Sequence, residues 1–119
     1  MCIRDRPNGH NEFEEFYNSL PNKDRNKIRA TIDMIEEVGI LPAIQLEWIK
    51  KLDTEIYEIR SKVSSNIQRA LYFHVKNNQY IITHGFTKKT QKTPIKEIIR
   101  AKQIKSEFEE EYYANKNLR

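Results

Sequence analysis

The 119-residue chain has a single cysteine, Cys2. A lone thiol closes no internal disulfide and supplies no Cys-rich zinc site, which removes the disulfide-scaffold and zinc-finger classes. Glycine is almost as scarce, with three residues and none in a Walker or dinucleotide-binding pattern, so enzymes that cradle a nucleotide on a Gly-rich loop are disfavoured. His10, His74 and His84 are dispersed and lack metal-ligand spacing. No apolar run approaches the roughly 18 residues of a membrane span, and the N-terminal stretch holds no apolar core of a signal peptide. Glu55 and Glu58 lie amid apolar residues without a partner motif, so paired-carboxylate glycosidase chemistry is not indicated. The expectation is a cytoplasmic protein of one domain with no metal, no cofactor and no membrane partner.

What the chain does have is unevenly placed charge. The formal balance is only +4, yet residues 1–49 carry −3, residues 50–105 carry +9 and residues 106–119 carry −2. A basic block inside one small domain points to a polyanion or an acidic partner.

Pro7-Asn8-Gly9 marks a turn, after which Phe13, Phe16, Tyr17 and Leu20 recur at helical spacing. Leu20-Pro21-Asn22 breaks that helix. Ile28, Ile32, Ile35 and Val38 predict a second helix from about Lys23 to Val38, with Gly39 as its C-terminal cap. So short a connection makes the two an antiparallel hairpin. From Ile56 onward, β-branched and aromatic residues gather in short runs. They read as strands Glu55 to Arg60, Ile67 to Lys76 and Gln79 to Phe86, joined by Ser61 to Asn66 and by a tight Asn77-Asn78 turn. Thr93-Pro94 then opens a helix as N-cap and first-turn proline, with Ile98, Ala101, Ile104 and Phe108 as its core stripe and an acidic, frayed end. The fold class is α+β: a helical hairpin packed on a small antiparallel sheet, with a C-terminal helix.

Alternation in strands puts Ile56, Glu58 and Arg60 on one face, and Ile67, Arg69, Leu71 and Phe73 on one face of the next strand. Arg69 therefore sits in line with apolar neighbours. Either it reaches solvent or pairs with Glu58, or its planar fork clamps a phosphate. Strict alternation in the third strand groups Tyr80, Ile82, His84 and Phe86. His84 is either a satisfied strand histidine or a proton carrier, its ordinary pKa near ~6.5 suiting transfer. Lys88, Lys89 and Lys92 follow closely and either crowd a phosphate or form a solvated loop. Tyr57, Tyr72 and Tyr80 are base-stacking candidates, although strand aromatics are usually packed.

Several of these runs together carry a resemblance: Lys50-Lys51-Leu52 followed by Ile56-Tyr57-Glu58-Ile59-Arg60, Arg69-Ala70-Leu71-Tyr72-Phe73, the stretch HGFTKKTQKTP from His84 to Pro94, and the helix containing Glu97 and Ala101. With the helical hairpin they resemble the phage-derived, HigB-like branch of the RelE/ParE toxin superfamily over residues 8–112, leaving residues 1–7 as an atypical segment and residues 113–119 as a polar tail. The resemblance implies a microbial-ribonuclease-like plan, with helices on one face of a twisted sheet and a basic cleft on the other. It implies a type II toxin that cuts mRNA in the ribosomal A site without a metal, through attack of a ribose 2′-OH on the adjacent phosphate. Its partner would be a cognate helix-turn-helix antitoxin. Carried over by position, Arg60, Arg69, His84 and Lys88 are the catalytic candidates, while Lys89, Lys92 and Tyr57 would bind substrate. The alternatives are a gyrase-binding toxin without nuclease activity and an inactive phage-derived binding module. One departure stands out. Family members begin with a β-strand, whereas Met1 to Arg6 is short, charged and unlike one, so the expectation is a truncated or foreign start with the first strand missing.

Overall fold

A computed structural model describes residues 2–3, 11–75, 79–88 and 92–117. The elements run β1 (Cys2–Ile3), α1 (Glu12–Ser19), α2 (Asn22–Val38), α3 (Ile40–Gln45), β2 (Ile49–Lys51), β3 (Ile56–Val63), β4 (Asn66–Val75), β5 (Gln79–Lys88) and α4 (Ile95–Asn117). The strands form one sheet in the order β1-β5-β4-β3-β2, antiparallel except for the parallel pair at the β1 edge.

The α1 helix begins where the Asn11 side chain accepts the Glu14 amide at 2.9 Å, and Glu12, Glu14 and Glu15 fill its first turn, where the helix dipole favours acids. The α2 helix ends at Gly39, whose φ of +92° lies where side chains are rarely tolerated. These two helices cover one face of the sheet, α1 over β5 and α2 over β3. Phe13, Leu20, Ile28 and Ile35 meet Ile49, Ile59, Ala70, Tyr72 and Ile82 there. Asp24 fixes the start of α2 to β4 by accepting from Asn66 and Gln68, both at 3.2 Å, so this buried carboxylate is satisfied.

The other face is covered differently. Ile56, Leu71, Phe73 and Ile81 receive Ala101 and Phe108 of α4, but only over one end of the strands. Ion pairs from α4 hold it in place: Arg100 to Glu12 of α1 at 2.7 Å, Lys102 to Asp53, and Lys105 to Glu55 at 3.3 Å. The Lys102 ammonium and the Thr54 amide hold the Asp53 carboxyl well below its usual range, at about 2. No helix among the described residues is long and apolar enough to cross a membrane.

The α+β class and the helix-on-sheet plan agree with the sequence reading, and five details differ. Cys2–Ile3 pairs parallel with β5, in register with Ile81 and Ile82, so the segment read as unlike a strand contributes a sheet edge. Two residues are too few to show alternation. The β3–β4 connection is the pair Ser64-Ser65 rather than Ser61 to Asn66, because β3 runs on to Val63 as polar Ser61 and Lys62 extend the ladder. Both α3 and β2 went unpredicted, since six and three residues around Pro42 carry no readable period. The α4 helix continues to Asn117, across the segment read as a tail. The Thr93 hydroxyl donates to Glu58, a buried partner on β3 that the N-cap reading did not include. The Pro7-Asn8-Gly9 and Asn77-Asn78 turns lie outside the described residues.

Candidate functional site

Cross-strand register builds the site row by row. Glu58 of β3 faces Lys50 of β2 and Leu71 of β4, and Leu71 in turn faces His84 of β5. The next row is Arg60, Arg69 and Phe86; the last is Lys62, Ile67 and Lys88. Directly paired residues share a face, so Glu58, Arg60, Arg69, His84 and Lys88 all lie on the α4 side, beside or beyond that helix's first turn.

A β-bulge makes this possible. The register shifts between Leu71 and Tyr72, leaving Thr83 as the extra residue of β5. Tyr80 and Ile82 point to the helical hairpin, while His84, Phe86 and Lys88 point to the other side. The strict alternation read from sequence, which grouped Tyr80, Ile82, His84 and Phe86, is therefore corrected. Thr83 itself stays satisfied by donating to the Leu71 carbonyl at 3.2 Å.

Glu58 is the centre of the cluster. Its side chain is 0% exposed, with Arg69 Nε 3.3 Å and Arg60 Nε 4.0 Å from Oε1, and the Thr93 hydroxyl on Oε2. The Arg69 contact is an ion pair without hydrogen-bond alignment, since neither Nε nor Oε1 makes an aligned bond among the described residues. Arg69 is anchored instead by Nη1, which donates to the carbonyls of Gln68 at 3.0 Å and Ser61 at 3.3 Å. With 8% of its side chain exposed, burial pulls its pKa below the ordinary guanidinium value, an effect Glu58 opposes. Arg60 is the open member, 33% exposed. Lys88 is buried, and desolvation lowers its pKa first; Glu58 opposes this, while Arg69, Arg60 and Lys50 add to it.

His84 is enclosed, with 4% of its side chain exposed. Burial, helped by the Arg100 charge and opposed by Glu12, pushes its pKa down to about 4, so the ring is neutral at pH 7. Nδ1 lies 3.0 Å from the Thr83 hydroxyl and Nε2 lies 3.6 Å from Glu97 Oε1. Thr83 has one proton to give. If it donates to Leu71, the ring carries its proton on Nδ1 and turns an unprotonated Nε2 toward a carboxylate.

The structure thus brings together three of the residues picked out from sequence, Arg60, Arg69 and Lys88, around Glu58; His84 shares their face but has Glu97, Arg100 and Glu12 as its charged neighbours. Lys92 precedes α4 and is exposed; Lys89 lies outside the described residues. Tyr57 is not part of the cluster. It stacks on Tyr72 at 5.3 Å, and Tyr72 meets Tyr80 edge-on at 5.7 Å, an aromatic ladder on the hairpin face. Packing inside that ladder raises the Tyr72 pKa strongly by burial. Glu58, Thr93, Glu97 and Lys50 were missed as site residues. The shared face of Glu58 and Arg60 was the available signal for the first. Among the described residues no group of three or more His, Cys, Asp or Glu side chains is arranged to hold a metal ion.

A search of curated proteins finds no match. The family described as Phage derived protein Gp49-like (DUF891) matches residues 15–106, which run from within α1 through β2, β3, β4 and β5 into α4 and include Glu58, Arg60, Arg69, His84 and Lys88. With most of its length matched, the chain belongs to this phage-derived, Gp49-like family.

Proposed function

We propose that this protein is the toxin of a type II toxin-antitoxin pair, an endoribonuclease that cuts mRNA in the ribosomal A site. The phage-derived family to which the chain belongs is toxin-like. The observation that carries the nuclease reading is the convergence of Arg60, Arg69 and Lys88, from three adjacent strands, on one face of the sheet. Cutting RNA without a metal requires fixed cations where charge gathers on phosphorus. The 2′-oxygen bonds to the adjacent phosphorus as its proton passes to water, the bond to the 5′-oxygen breaks, and that oxygen gains a proton. The products are a 2′,3′-cyclic phosphate and a 5′-hydroxyl. Arg60 and Arg69 neutralise the non-bridging oxygens. Lys88, whose pKa burial lowers, is the proton donor to the departing oxygen. His84, neutral and enclosed, has a supporting place. Lys92 and Lys89 are the further residues that bind the RNA backbone, and Tyr57 acts through the aromatic ladder that supports the strands. The partner that silences the toxin is a helix-turn-helix antitoxin with an acidic segment.

A second reading has one feature in its favour: Glu58 already engages Arg69, as in a protein whose cations are structural. On that reading the chain binds DNA gyrase, or is an inactive binding module. Induction in bacterial cells separates the two. An immediate stop in protein synthesis with cut transcripts is the expected outcome, whereas filamentation and DNA damage with intact transcripts would overturn the nuclease reading.

A further inference from the structure

We propose that Glu58 is a resident anion of the cationic cleft, holding Arg69 and Arg60 in place while subtracting one charge from what the site presents to an RNA phosphate. The inference rests on the cleft being a seat for RNA phosphate. Glu58 is fully buried, yet its carboxylate is not paired one to one. Arg69 and Arg60 approach the same oxygen, at 3.3 and 4.0 Å, and Thr93 takes the other. Lys88 lies within electrostatic reach of Glu58, Arg69, Arg60 and Lys50, which places four cations around one carboxylate. Oε1 has no aligned hydrogen bond among the described residues, so its attachment to the arginines is electrostatic rather than directional. That is the kind of bond a phosphate oxygen competes with: an approaching phosphate shares Arg69 and Arg60 with the carboxylate and feels its repulsion. Lodged between β3 and the start of α4, Glu58 also keeps the cations from repelling one another when no RNA is present.

The charge at this position sets both affinity and salt dependence. Each phosphate contact on a single strand contributes about −0.7 to the slope of log K against log[salt]. Replacing Glu58 by its neutral isostere uncovers one further charge, so E58Q is expected to steepen the slope by about 0.7 and bind about fivefold more tightly at 0.1 M salt. The probe is a ten-nucleotide, fluorescein-labelled single-stranded RNA read by anisotropy across a salt series, with wild type and E58Q in parallel. A role confined to stability would not steepen the slope. E58D keeps the charge but draws it back from Arg69 by one methylene; it is expected to bind about twofold more tightly at an unchanged slope, and it decides the question if E58Q does not fold. Equal affinities and slopes for wild type and the folded variants, including the case in which none binds, overturn the proposal. Transcript cutting in cells is scored separately. If it is absent while the E58Q gain in binding persists, the nuclease reading fails and the role of Glu58 stands.

Discussion

Gly85 lies in β5 opposite Ala70, where the α1 helix comes down on the sheet. A Cβ built there would stand 2.2, 2.5 and 3.0 Å from three ring carbons of Phe16. Carbon atoms settle at about 3.5–4.0 Å, so Gly85→Ala obliges the ring to withdraw by more than about 1 Å. It has little room, because Phe16 also packs against Phe13, which is fully buried beneath α1. Overpacking of this kind costs about 1–3 kcal/mol. For a domain of this length that is a fall in Tm of roughly 5–15 °C. An eight-residue helix does not persist alone, so the strain should surface as loosening of α1. Thermal unfolding by circular dichroism gives the total, and a cycle with Phe16→Ala isolates the cause. Phe16 is half-buried, so its own truncation should cost about 2 kcal/mol, below the range for a buried ring. In the double variant the new methyl occupies space the ring has left, and the two costs should fall short of additivity by about 1–2 kcal/mol. An unchanged Tm for Gly85→Ala, or costs that add within about 0.5 kcal/mol, would refute the contact as the reason for glycine in the His-Gly-Phe run.

Other outcomes follow from the site and its surroundings. Arg69→Ala leaves the buried Glu58 short of its nearest cation, so it should cost about 3–5 kcal/mol in urea unfolding as well as ending toxicity. Arg69→Lys restores the charge without the fork, and should recover most of the stability but not the growth arrest; full toxicity in that variant would remove the guanidinium from the mechanism. The His84 pKa of about 4, against 6.5 for the free side chain, means the unfolded chain binds more protons between those values. Its contribution is present in full above pH 6.5 and is lost as pH falls toward 4, by about 3 kcal/mol in all; urea midpoints from pH 8 to 4 should follow that trend, and His84→Gln should flatten it. Ser64, with φ +54° at the first position of the two-residue β3–β4 turn, occupies a place that suits glycine. Ser64→Gly should raise stability by about 0.5–1 kcal/mol, checked by the same unfolding assay.

The long, periodic elements were legible because burial imposes a period. The Ile28, Ile32 and Ile35 stripe placed α2 within one residue of its observed start, and alternation within each strand grouped Glu58 with Arg60 and Arg69 with Leu71, while the register between the strands is what sets Arg60 beside Arg69. What the pattern could not carry was local. The α3 helix and β2 are too short to repeat, and the bulge at Thr83 shifts the phase of a strand without altering its composition. For Arg69 the sequence leaves open a reach to solvent, a pair with Glu58 or a phosphate clamp. The geometry realises the pair, and that same pair is what the clamp would use. Basic residue counts pointed to the segment that holds Arg60, Arg69 and Lys88 but undervalued the acid among them, because a single carboxylate among thirteen cations hardly moves a sum.

The extra residue at Thr83 divides β5 into two halves that answer to different neighbours. Up to Ile82 the hairpin face of the strand carries Tyr80 and Ile82; from His84 onward Gly85 still meets α1, while His84 and Lys88 face charges. The bulge thus lets one strand serve two surfaces, apart from Gly85, whose missing side chain makes room for Phe16. Deleting Thr83 would fuse the halves into one uninterrupted alternation. His84, Phe86 and Lys88 would keep their side in that case; only if Thr83 were absorbed into a regular ladder would they turn under α1 and a lysine enter the hydrophobic layer in place of leaving it.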